Sequence, residues 1–437
     1  MAFEDLRRRL TGRVLVPGDE GFEQTARPWA LAVSQPVAAV VDAANADDVA
    51  AVVSYARRAG IAVAAQPTGH GAAGGLDEAI LLRTGQLSKV DVHVERRAAR
   101  VGAGVNWGQL QAIAGEHGLT GLAGSNPAVG ITGYTLGGGF GWFARKYGWA
   151  SDAVRALDIV DADGVRRTVS ADNDPELFWG LRGGGGDFAV VTGLEFDLFP
   201  VPALYGGRLV WPGARTREVF DAFQEITAVA PDELSLWFFR VQFPEAPAMV
   251  GVDTAFLGGA EEGRELLARL DALGGAVQDT RTVLSPADIG AITAEPTDPA
   301  PALSRAEVLT DVGDAVLKTL LDDPVAPLVN IQIRHLGGAL SRARQDGGAR
   351  GPIAEPYLAY LLGLGLPHLA DAVRARFAEA AEALGAHTAT HKPFTFLAPG
   401  ESADAAFDDE RTVSRLRSLK RARDPQAVIR SNYPVLG

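Results

Sequence analysis

The chain has 437 residues, of which 47% are hydrophobic and 22% charged, a balance typical of globular proteins with large cores. Acidic residues outnumber basic ones by 54 to 41, giving a net charge of −13, so no nucleic-acid partner is expected. The absence of cysteine excludes disulfides, thiolate metal sites and cysteine nucleophiles. No apolar stretch approaches the ~18 residues of a membrane span, and the start lacks a signal-peptide apolar segment, so we expect a cytoplasmic protein without a membrane partner.

The first 200 residues alternate short helical and extended patterns, which indicates α/β structure. The predicted elements are a helix at 4–10, a strand at 38–41, an amphipathic helix at 47–60, a strand at 61–65, a loop at 66–71, a helix at 175–182 and a strand at 188–192. Beyond Pro200 the glycine density falls and the pattern becomes ordinary α+β. There we predict strands at 234–241 and 329–335, helices at 261–273, 370–384 and 413–423, and an extended tail at 427–436.

Glycines are concentrated in the first half of the chain. Residues 102–141 contain 13 of them, and a second cluster occupies 183–186. Glycine is favoured where the backbone must turn with positive φ or approach a ligand closely. Successive exposed N–H groups then form a cradle for anions, so the clusters favour a cofactor that carries a pyrophosphate.

The loop after the second strand contains GHGAAG at 69–74, which satisfies the G-x-G-x-x-G pattern of dinucleotide-binding proteins. Asp91 lies about 20 residues further on, where that pattern places an acidic residue. The pattern must also open a helix, whereas 76–83 is too short and too extended for one. A nicotinamide-dependent dehydrogenase is therefore an alternative, and the motif match is interpreted as accidental.

Several segments resemble the FAD-linked oxidases of the berberine-bridge-enzyme type, within the vanillyl-alcohol-oxidase superfamily. They are NADDVAAVVSYARRAGIAV, QPTGHGAAG, RVGAGVNWGQL, EHGLTGLAGSNPAVGITGYTLGGGFGWFARKYGWASD, DADGVRRTVSADNDPELFWGLRGGGGDFAVVTGLEFDLFP and LKRARDPQAVIRSNYP. The resemblance is continuous over 33–202 and returns in the last 25 or so residues, whereas the intervening part resembles the family mainly through IQIRHLGGAL.

The resemblance implies an α+β protein with α/β elements. A PCMH-type FAD-binding domain of two subdomains would occupy 1–202, with its core at 33–202. A substrate domain with an antiparallel sheet would occupy 203–400, and 401–437 would return to the FAD-binding domain.

The resemblance also implies the residues that hold FAD. His70 would bond covalently to the 8α carbon of the flavin, although the family's usual arginine and glycine before it are replaced by Gln66-Pro67-Thr68. A second, cysteine-borne tether is excluded because its position is Asn126. Backbone N–H groups of Gly130, Gly133 and Gly137-Gly138-Gly139 would line the pyrophosphate and ribityl chain. The full set of predicted cofactor contacts is Gln66, Pro67, Thr68, Gly69, His70, Gly71, Ala72, Ser125, Val129, Gly130, Gly133, Tyr134, Gly137, Gly138, Gly139, Val191, Asn432 and Tyr433.

Flavin enzymes of this type move a hydride from a substrate C–H to N5 while a base removes a proton, and the reduced flavin then converts O₂ to hydrogen peroxide. Val129 resembles the family's oxygen gate, which favours an oxidase over a dehydrogenase. Gln332 and Arg334 share one face of the predicted strand 329–335 and would meet the substrate, unless that face is solvated. Tyr433 is a further catalytic candidate, and His391 and Tyr357 are candidate bases.

The substrate is predicted to be a small molecule. Many relatives carry a Tyr-x-Asn motif where this chain has Pro393-Phe394-Thr395-Phe396-Leu397. The apolar replacement points to an aromatic, polyketide-like or amine substrate rather than a carbohydrate. No metal site is expected, because only His387 and His391 show ligand spacing and they are predicted to lie on a strand.

Three hypotheses follow from the sequence. The leading one is an FAD-dependent oxidase that uses a small molecule and O₂, as a monomer or homodimer. The nicotinamide-dependent dehydrogenase is the second. The third is a flavin-fold binding protein without catalysis, which the missing Tyr-x-Asn motif supports.

Overall fold

The structure, a computed structural model, describes residues 3–437. The helices in this part of the chain are α1 (Glu4–Arg9), α2 (Phe22–Ala26), α3 (Ala46–Ala59), α4 (Trp107–Gly115), α5 (Ile131–Leu136), α6 (Ala144–Tyr147), α7 (Pro175–Leu181), α8 (Thr216–Thr227), α9 (Ala260–Leu266), α10 (Ala268–Asp271), α11 (Asp314–Leu317), α12 (Ala370–Leu384) and α13 (Glu410–Arg423). Its strands are β1 (Arg13–Leu15), β2 (Ala39–Asp42), β3 (Val63–Ala65), β4 (Ile80–Arg83), β5 (Val90–His93), β6 (Ala98–Gly102), β7 (Leu119–Thr120), β8 (Val154–Val160), β9 (Arg166–Ser170), β10 (Val190–Asp197), β11 (Phe199–Pro200), β12 (Tyr205–Pro212), β13 (Leu234–Val241), β14 (Met249–Phe256), β15 (Gln278–Asp279), β16 (Thr282–Val283), β17 (Ala302–Leu309), β18 (Leu328–His335) and β19 (Tyr357–Leu364).

The first sheet has the order β1-β2-β4-β3, in which β4 pairs in parallel with both β2 and β3. Helix α3 connects β2 to β3 and begins where the Asn45 side chain accepts hydrogen bonds from Asp47 N and Asp48 N. It ends at Gly60, whose φ of 67° is left-handed. The apolar side of α3 is fully buried, which confirms the predicted amphipathic helix.

The second sheet is antiparallel and has the order β5-β6-β10-β8-β9. The two sheets together use only residues before 198, so the glycine-rich half of the chain builds both. The glycine-rich segment from α4 to α7 is largely buried and packs in the same apolar core as β8 and β10.

The third sheet is a larger antiparallel one with the order β15-β12-β14-β13-β18-β19-β17, and β16 also pairs with β12. Side chains alternate across it, as in any strand. One face, including Phe238, Ile333 and Leu361, packs in an apolar core with α8 and α12. The opposite face includes Trp237 and Tyr360, which pack with residues of the glycine-rich half. The mixed α+β fold with an antiparallel second half confirms the predicted fold class.

The last segment of the chain returns to the first sheet. Val63 N in β3 donates to Val428 O at 2.7 Å, and Arg430 N donates to Val63 O at 2.9 Å. Lys420 of α13 is buried and donates to Asp424 Oδ2 at 2.8 Å and to the carbonyl oxygens of Asp187 and Ile429. The buried lysine and its partners hold the tail against the loop that leads into β10.

Three predicted elements differ from the structure. The helix expected at 261–273 is two helices, because Leu267 leaves helical geometry with φ −99° and ψ 5°. The tail expected to be extended at 427–436 forms turns around one bridge at Ile429, with Ala427 in the left-handed region at φ 51°. His387 ends a short 3₁₀ turn instead of lying on a strand, and His391 lies outside any helix or strand.

No helix within residues 3–437 combines the length and the hydrophobicity needed to cross a bilayer. Over the same residues, no group of three or more histidine, aspartate or glutamate side chains is placed to hold a metal ion.

Candidate functional site

The loop between β3 and β4 presents His70 between two glycines. Gly69 has φ 83°, and a Cβ at this position would lie 2.8 Å from Pro28 Cα and 2.9 Å from Gln66 Oε1. Any other residue would therefore be strained and would clash with the neighbouring backbone. The turn at Gly69 is what places the His70 side chain.

The His70 ring is fixed on two sides. It stacks on Trp29 with ring centroids 4.1 Å apart and planes 16° apart. Its Nδ1 lies 2.9 Å from Thr68 Oγ1, whereas Nε2 is buried without a hydrogen-bond partner among residues 3–437. Burial lowers the pKa of His70 to about 4, so the ring is neutral at pH 7. A proton on Nδ1, directed at Thr68, leaves Nε2 with a free lone pair.

A buried arginine supports this loop from the neighbouring strand. Arg83, at the end of β4, donates to Gln66 Oε1 at 2.8 Å and to Thr25 O at 2.9 Å. Gln66 in turn donates to Gln35 Oε1 at 2.8 Å and is 4% exposed. Gln66 thus helps to hold the His70 loop in place through these hydrogen bonds. Arg83 was not predicted, because its spacing from Gln66 indicates no contact until β3 and β4 are known to pair.

A second loop faces the first. A Cβ on Gly130 would lie 3.5 Å from Thr68 Cγ2 and 3.6 Å from Pro67 Cβ, so the two loops are in contact. Ser125 and Val129 are half-buried along this second loop, and Trp107 N donates to Val129 O at 3.0 Å. The predicted residues around His70 and those before α5 therefore lie side by side.

Helix α5 offers an open surface next to these loops. Gly133 is exposed, and a Cβ there would meet nothing within 4 Å. Tyr134 donates its hydroxyl to Leu122 O at 2.9 Å, and burial raises its pKa. One turn after Gly130, Gly133 lies on the same side of the helix, which faces Thr68.

The three consecutive glycines after α5 do not fit the expectation that their N–H groups are free for a pyrophosphate. Gly137 N donates to Gly133 O at 3.3 Å and Gly138 N to Thr135 O at 3.0 Å. A Cβ on Gly137 would lie 2.8 Å from Thr395 Cγ2, and one on Gly139 would lie 2.5 Å from Tyr134 Cε1. These glycines allow close packing of protein segments, and the N–H groups of Gly137 and Gly138 are bound within the protein, so their contact with a pyrophosphate stays a prediction.

The tail reaches the His70 loop from the opposite end of the chain. Asn432 Nδ2 donates to Gly71 O, and Ser431 Oγ is buried without a partner among residues 3–437. Tyr433 donates its hydroxyl to Leu397 O at 2.6 Å, and burial raises its pKa. The hydroxyl is thus held by the backbone of Leu397, and a catalytic role for Tyr433 stays a prediction.

Two remaining predicted contacts lie at the edges of the site. Ala72 is buried, and its N–H group donates to Gly69 O at 3.4 Å, which closes the His70 loop. Val191 is buried in β10, where it pairs with Ile159 of β8. Its side chain belongs to the apolar core of the glycine-rich half.

Gln332 and Arg334 share one face of β18, as predicted. They are 4% and 6% exposed, so the alternative of a solvated face was wrong. Arg334 Nε donates to Gln332 Oε1 at 2.9 Å. The Arg334 guanidinium lies 4.0 Å from the centre of the Trp237 ring, and the adjoining Phe396 ring lies 6.2 Å from Phe140, which follows the three glycines.

One of the two candidate bases lies on the other face of the sheet. The Tyr357 hydroxyl is hydrogen-bonded to Thr227 Oγ1 of α8 at 2.8 Å, on the helix-covered face of the sheet. His391 Nε2 lies 3.6 Å from Glu355 Oε2, and burial lowers its pKa. The structure therefore does not bring Tyr357 together with Gln332 and Arg334.

The residues of this site fit a flavin nucleotide. The His70 Nε2 atom is a buried polar group without a protein partner among residues 3–437, as expected where a ligand completes the site. Gly133 leaves open space between the His70 loop and α5. The three segments that meet here come from both ends of the chain and from its glycine-rich centre, which matches the elongated shape of FAD.

Comparisons with known proteins agree with this interpretation. Residues 37–170 match the family described as FAD binding domain. The chain is 32% identical to (R)-6-hydroxynicotine oxidase of Paenarthrobacter nicotinovorans over 295 residues, which is 65% of this chain and 64% of that protein. It is 34% identical to the FAD-dependent monooxygenase tpcD of Cochliobolus heterostrophus over 46% of this chain and 39% of that protein. The match thus spans less than two thirds of the length of either relative.

Solved structures share the whole fold. The crystal structure of 6-hydroxy-D-nicotine oxidase from Arthrobacter nicotinovorans superposes with a TM-score of 0.81 and 26% identity, covering 96% of this chain and 97% of that one. A single-residue variant of berberine bridge enzyme superposes with a TM-score of 0.84 at 17% identity, covering 98% of this chain and 97% of that one. The second likeness shows the fold alone.

Proposed function

We propose that this chain, which matches an FAD binding domain and has the fold of the berberine-bridge-enzyme-like oxidases, is an FAD-dependent oxidase of a small organic molecule. When bound, FAD supplies the hydride acceptor and then the two electrons that convert O₂ to hydrogen peroxide. The protein's own residues hold the flavin, orient the substrate against it and exclude water.

The observation that carries this proposal is the unpartnered Nε2 of His70. A neutral imidazole with a free lone pair is the form that can bond to carbon, and the lowered pKa of about 4 keeps His70 in that form. Trp29 fixes the plane of the ring, and a proton on Nδ1, directed at Thr68, would leave Nε2 free to bond. We therefore assign Nε2 as the atom that forms the covalent link to the flavin 8α carbon.

The remaining cofactor contacts are proposed on the same geometry. The loop that carries Ser125 and Val129 contacts the His70 loop at Gly130, and the tail residue Asn432 binds Gly71, so we propose that FAD lies beside these segments and the exposed Gly133 of α5. Gly130 and Gly133 would face the cofactor, whereas the N–H groups of Gly137 and Gly138 are occupied. The domain boundaries at 202 and 400 are proposed as well. The first falls between β11, which ends at Pro200, and β12, which begins at Tyr205.

Val129 supports an oxidase over a dehydrogenase. Its backbone is held by Trp107, and its side chain is half-buried beside the two facing loops. A small β-branched side chain here would leave a path for O₂ to the flavin, in keeping with its resemblance to the family's oxygen gate.

Gln332, Arg334 and the apolar segment that contains Phe396 support a small aromatic or amine substrate. This segment places the Phe396 ring near Phe140 and packs Thr395 on Gly137. It carries no tyrosine hydroxyl. The relative named (R)-6-hydroxynicotine oxidase acts, by that name, on a small nitrogen-containing molecule, which is consistent with this class.

The test of the tether is the mass of the intact purified chain. We expect a yellow protein whose mass exceeds the sequence mass by one FAD, with the addition on the His70 peptide, and a His70→Ala variant without the addition. A colourless wild-type protein in every preparation would refute flavin binding. Flavin that is lost on acid precipitation would refute only the tether.

The test of the oxidase is hydrogen peroxide formation with a panel of aromatic and amine substrates.

The nicotinamide alternative required a helix after Gly74, where the chain instead turns and forms β4. A flavin that is photoreduced and then fails to reoxidise in air would favour the non-catalytic binding protein.

A further inference from the structure

Arg334 is a buried cation without an anionic partner. It is 6% exposed, and no aspartate or glutamate oxygen in the described part of the chain lies within ion-pair distance of its guanidinium. Its one hydrogen bond runs from Nε to Gln332 Oε1. Buried charges in proteins are normally paired and fully hydrogen-bonded, because taking them out of water is costly. An unpaired buried guanidinium therefore indicates a partner that is not part of the chain.

The surroundings of Arg334 stabilise the charge without occupying its donors. The guanidinium carbon lies 4.0 Å from the ring centre of Trp237, 4.9 Å from that of Tyr360 and 5.5 Å from that of Phe396. Aromatic faces attract a cation but accept none of its N–H bonds in the way that a carboxylate does. The two Nη nitrogens of Arg334 have no hydrogen-bond partner in the described part of the chain, and they are not fully buried. They are therefore accessible to a ligand.

Neighbouring charges do not neutralise Arg334 by contact. Asp253, on the same face of the sheet, is held at both oxygens by Arg208, at 2.6 and 2.9 Å. Glu295 is half-buried and its field reaches Arg334, but it is not in ion-pair contact with it. The Asp253 carboxylate is therefore already bound by Arg208.

A second buried arginine shows the contrast. Arg240 of β13 lies on the helix-covered face of the same sheet and is 8% exposed. Its Nη1 donates to Leu320 O at 2.8 Å and to Asp323 O at 2.9 Å. Arg240 is satisfied by the protein, as expected of a structural arginine, whereas Arg334 is not.

Arg334 also lies at the substrate side of the proposed flavin site. Phe396 connects its aromatic surroundings to Phe140, and Thr395 packs on Gly137. Tyr360 and Phe396 are half-buried, and their rings meet edge to face at 5.7 Å. Together these rings form walls suited to a flat molecule.

We propose that Arg334 binds an anionic oxygen of a planar aromatic substrate, a carboxylate or a phenolate, and so determines which substrates are accepted. The proposal rests on the proposed function in one respect, since it takes this space as the substrate site. The guanidinium fork matches a carboxylate with two parallel bonds or a phenolate with one oxygen shared by both Nη groups. A neutral, sugar-like substrate would leave the buried cation unpaired.

The experiment measures binding without turnover in the purified, flavin-loaded protein. The probes are 4-nitrophenolate and 4-nitroanisole, which share one ring but differ in the charge of the oxygen. We expect wild type to prefer 4-nitrophenolate by about 10- to 100-fold, the range of a charge-assisted hydrogen bond. Arg334→Met should abolish the preference, Arg334→Lys should keep part of it, and Arg240→Met is the matched control that should retain it.

The outcomes decide between the roles of Arg334. Equal affinity of wild type for both probes, or an undiminished preference in Arg334→Met, would overturn the inference. If benzoate displaces the probe, the anionic group of the substrate is a carboxylate. If benzoate does not displace it, the anionic group is a phenolate. Both results support the proposal. Loss of the flavin's sulfite adduct in Arg334→Met with the probe preference intact would assign the cation to the flavin instead, and would also overturn it.

If Arg334→Met does not fold, wild type alone still decides. Below the solution pKa of 4-nitrophenol, a bound probe that shows the phenolate spectrum supports the cation site, and one that shows the neutral spectrum refutes it. A protein with the probe preference that never forms hydrogen peroxide would refute the proposed oxidase and leave this inference standing. An active oxidase without the preference would refute only this inference.

Discussion

Trp29 stacks on His70 with the two ring planes 16° apart, and the same Trp29 donates its indole N–H to Thr297 O at 3.1 Å. One side chain therefore links the loop that carries His70 with a segment that precedes β17. Trp29 lies in the irregular lead-in between α2 and β2. The contact gives this lead-in a function in holding the imidazole.

Replacing Trp29 with alanine should reduce covalent flavin incorporation. Without the stacked indole, the His70 ring is more mobile and more solvated, and its pKa should rise from about 4 toward the ordinary value of 6.5. The fraction of flavin that survives acid precipitation measures the effect, with Trp29→Phe as the control that keeps a stacked ring. Equal incorporation in Trp29→Ala and wild type would show that the stacking is unimportant for the link.

Enlarging Val129 should slow the reoxidation of the reduced enzyme by O₂. Val129→Leu adds bulk to a half-buried side chain whose backbone is fixed by Trp107, so the side chain cannot move aside with the loop. We expect reoxidation to fall by about tenfold, which corresponds to ~1.4 kcal/mol of barrier, while flavin reduction is unchanged. Stopped-flow absorbance separates the two half-reactions. Val129→Ala serves as the control, and unchanged reoxidation in Val129→Leu would remove the oxygen gate from the proposal.

Elements whose signals are local were predicted well from the sequence. The predicted start near Asp47, the apolar side of α3 and the end at Gly60 lie in one short stretch, and each acts on the same helix. Strand β18 was found from its alternation, and the shared face of Gln332 and Arg334 followed from it. Such features depend on neighbours in the chain, so one sequence is enough to show them.

Contacts between distant segments were not predictable in the same way. Arg83 supports Gln66 only because β3 and β4 pair, and Trp29 meets His70 only because a lead-in folds back. The glycines at 137–139 show a second limit, since close packing on protein and close approach to a ligand select the same residue. The sequence alone cannot distinguish these two causes.

Asp187 should be needed to dock the tail at the flavin site. It is 1% exposed and accepts from Ser431 N at 3.1 Å and from Val435 N at 3.2 Å, so both backbone groups lose a partner in Asp187→Ala. We expect a loss of about 1–3 kcal/mol of stability, the cost of unsatisfied buried groups. Faster hydrogen exchange should be confined to the tail, and Asp371 of α12, whose side chain is 99% exposed, is the control when it is replaced by alanine.

A tail that exchanges as slowly in Asp187→Ala as in wild type would contradict this role. If the docking is lost, the bond from Asn432 to Gly71 should be lost with it. The flavin of Asp187→Ala should then be more accessible to quenchers in solution than the flavin of the Asp371 control.

Acid should destabilise the protein partly through His335. Burial, with Arg145 only 3.0 Å from its Nε2, lowers the pKa of His335 to about 3. Because the unfolded chain binds this proton near pH 6.5 and the folded chain does not, the contribution of His335 to stability is complete above pH 6.5 and is lost as the pH falls toward 3. Between pH 7.5 and 5 the loss should be about 2 kcal/mol, measured by urea unfolding. His335→Gln removes the titrating group and should show a decrease smaller by that amount, whereas parallel decreases in both proteins would show that His335 is not buried in its neutral form.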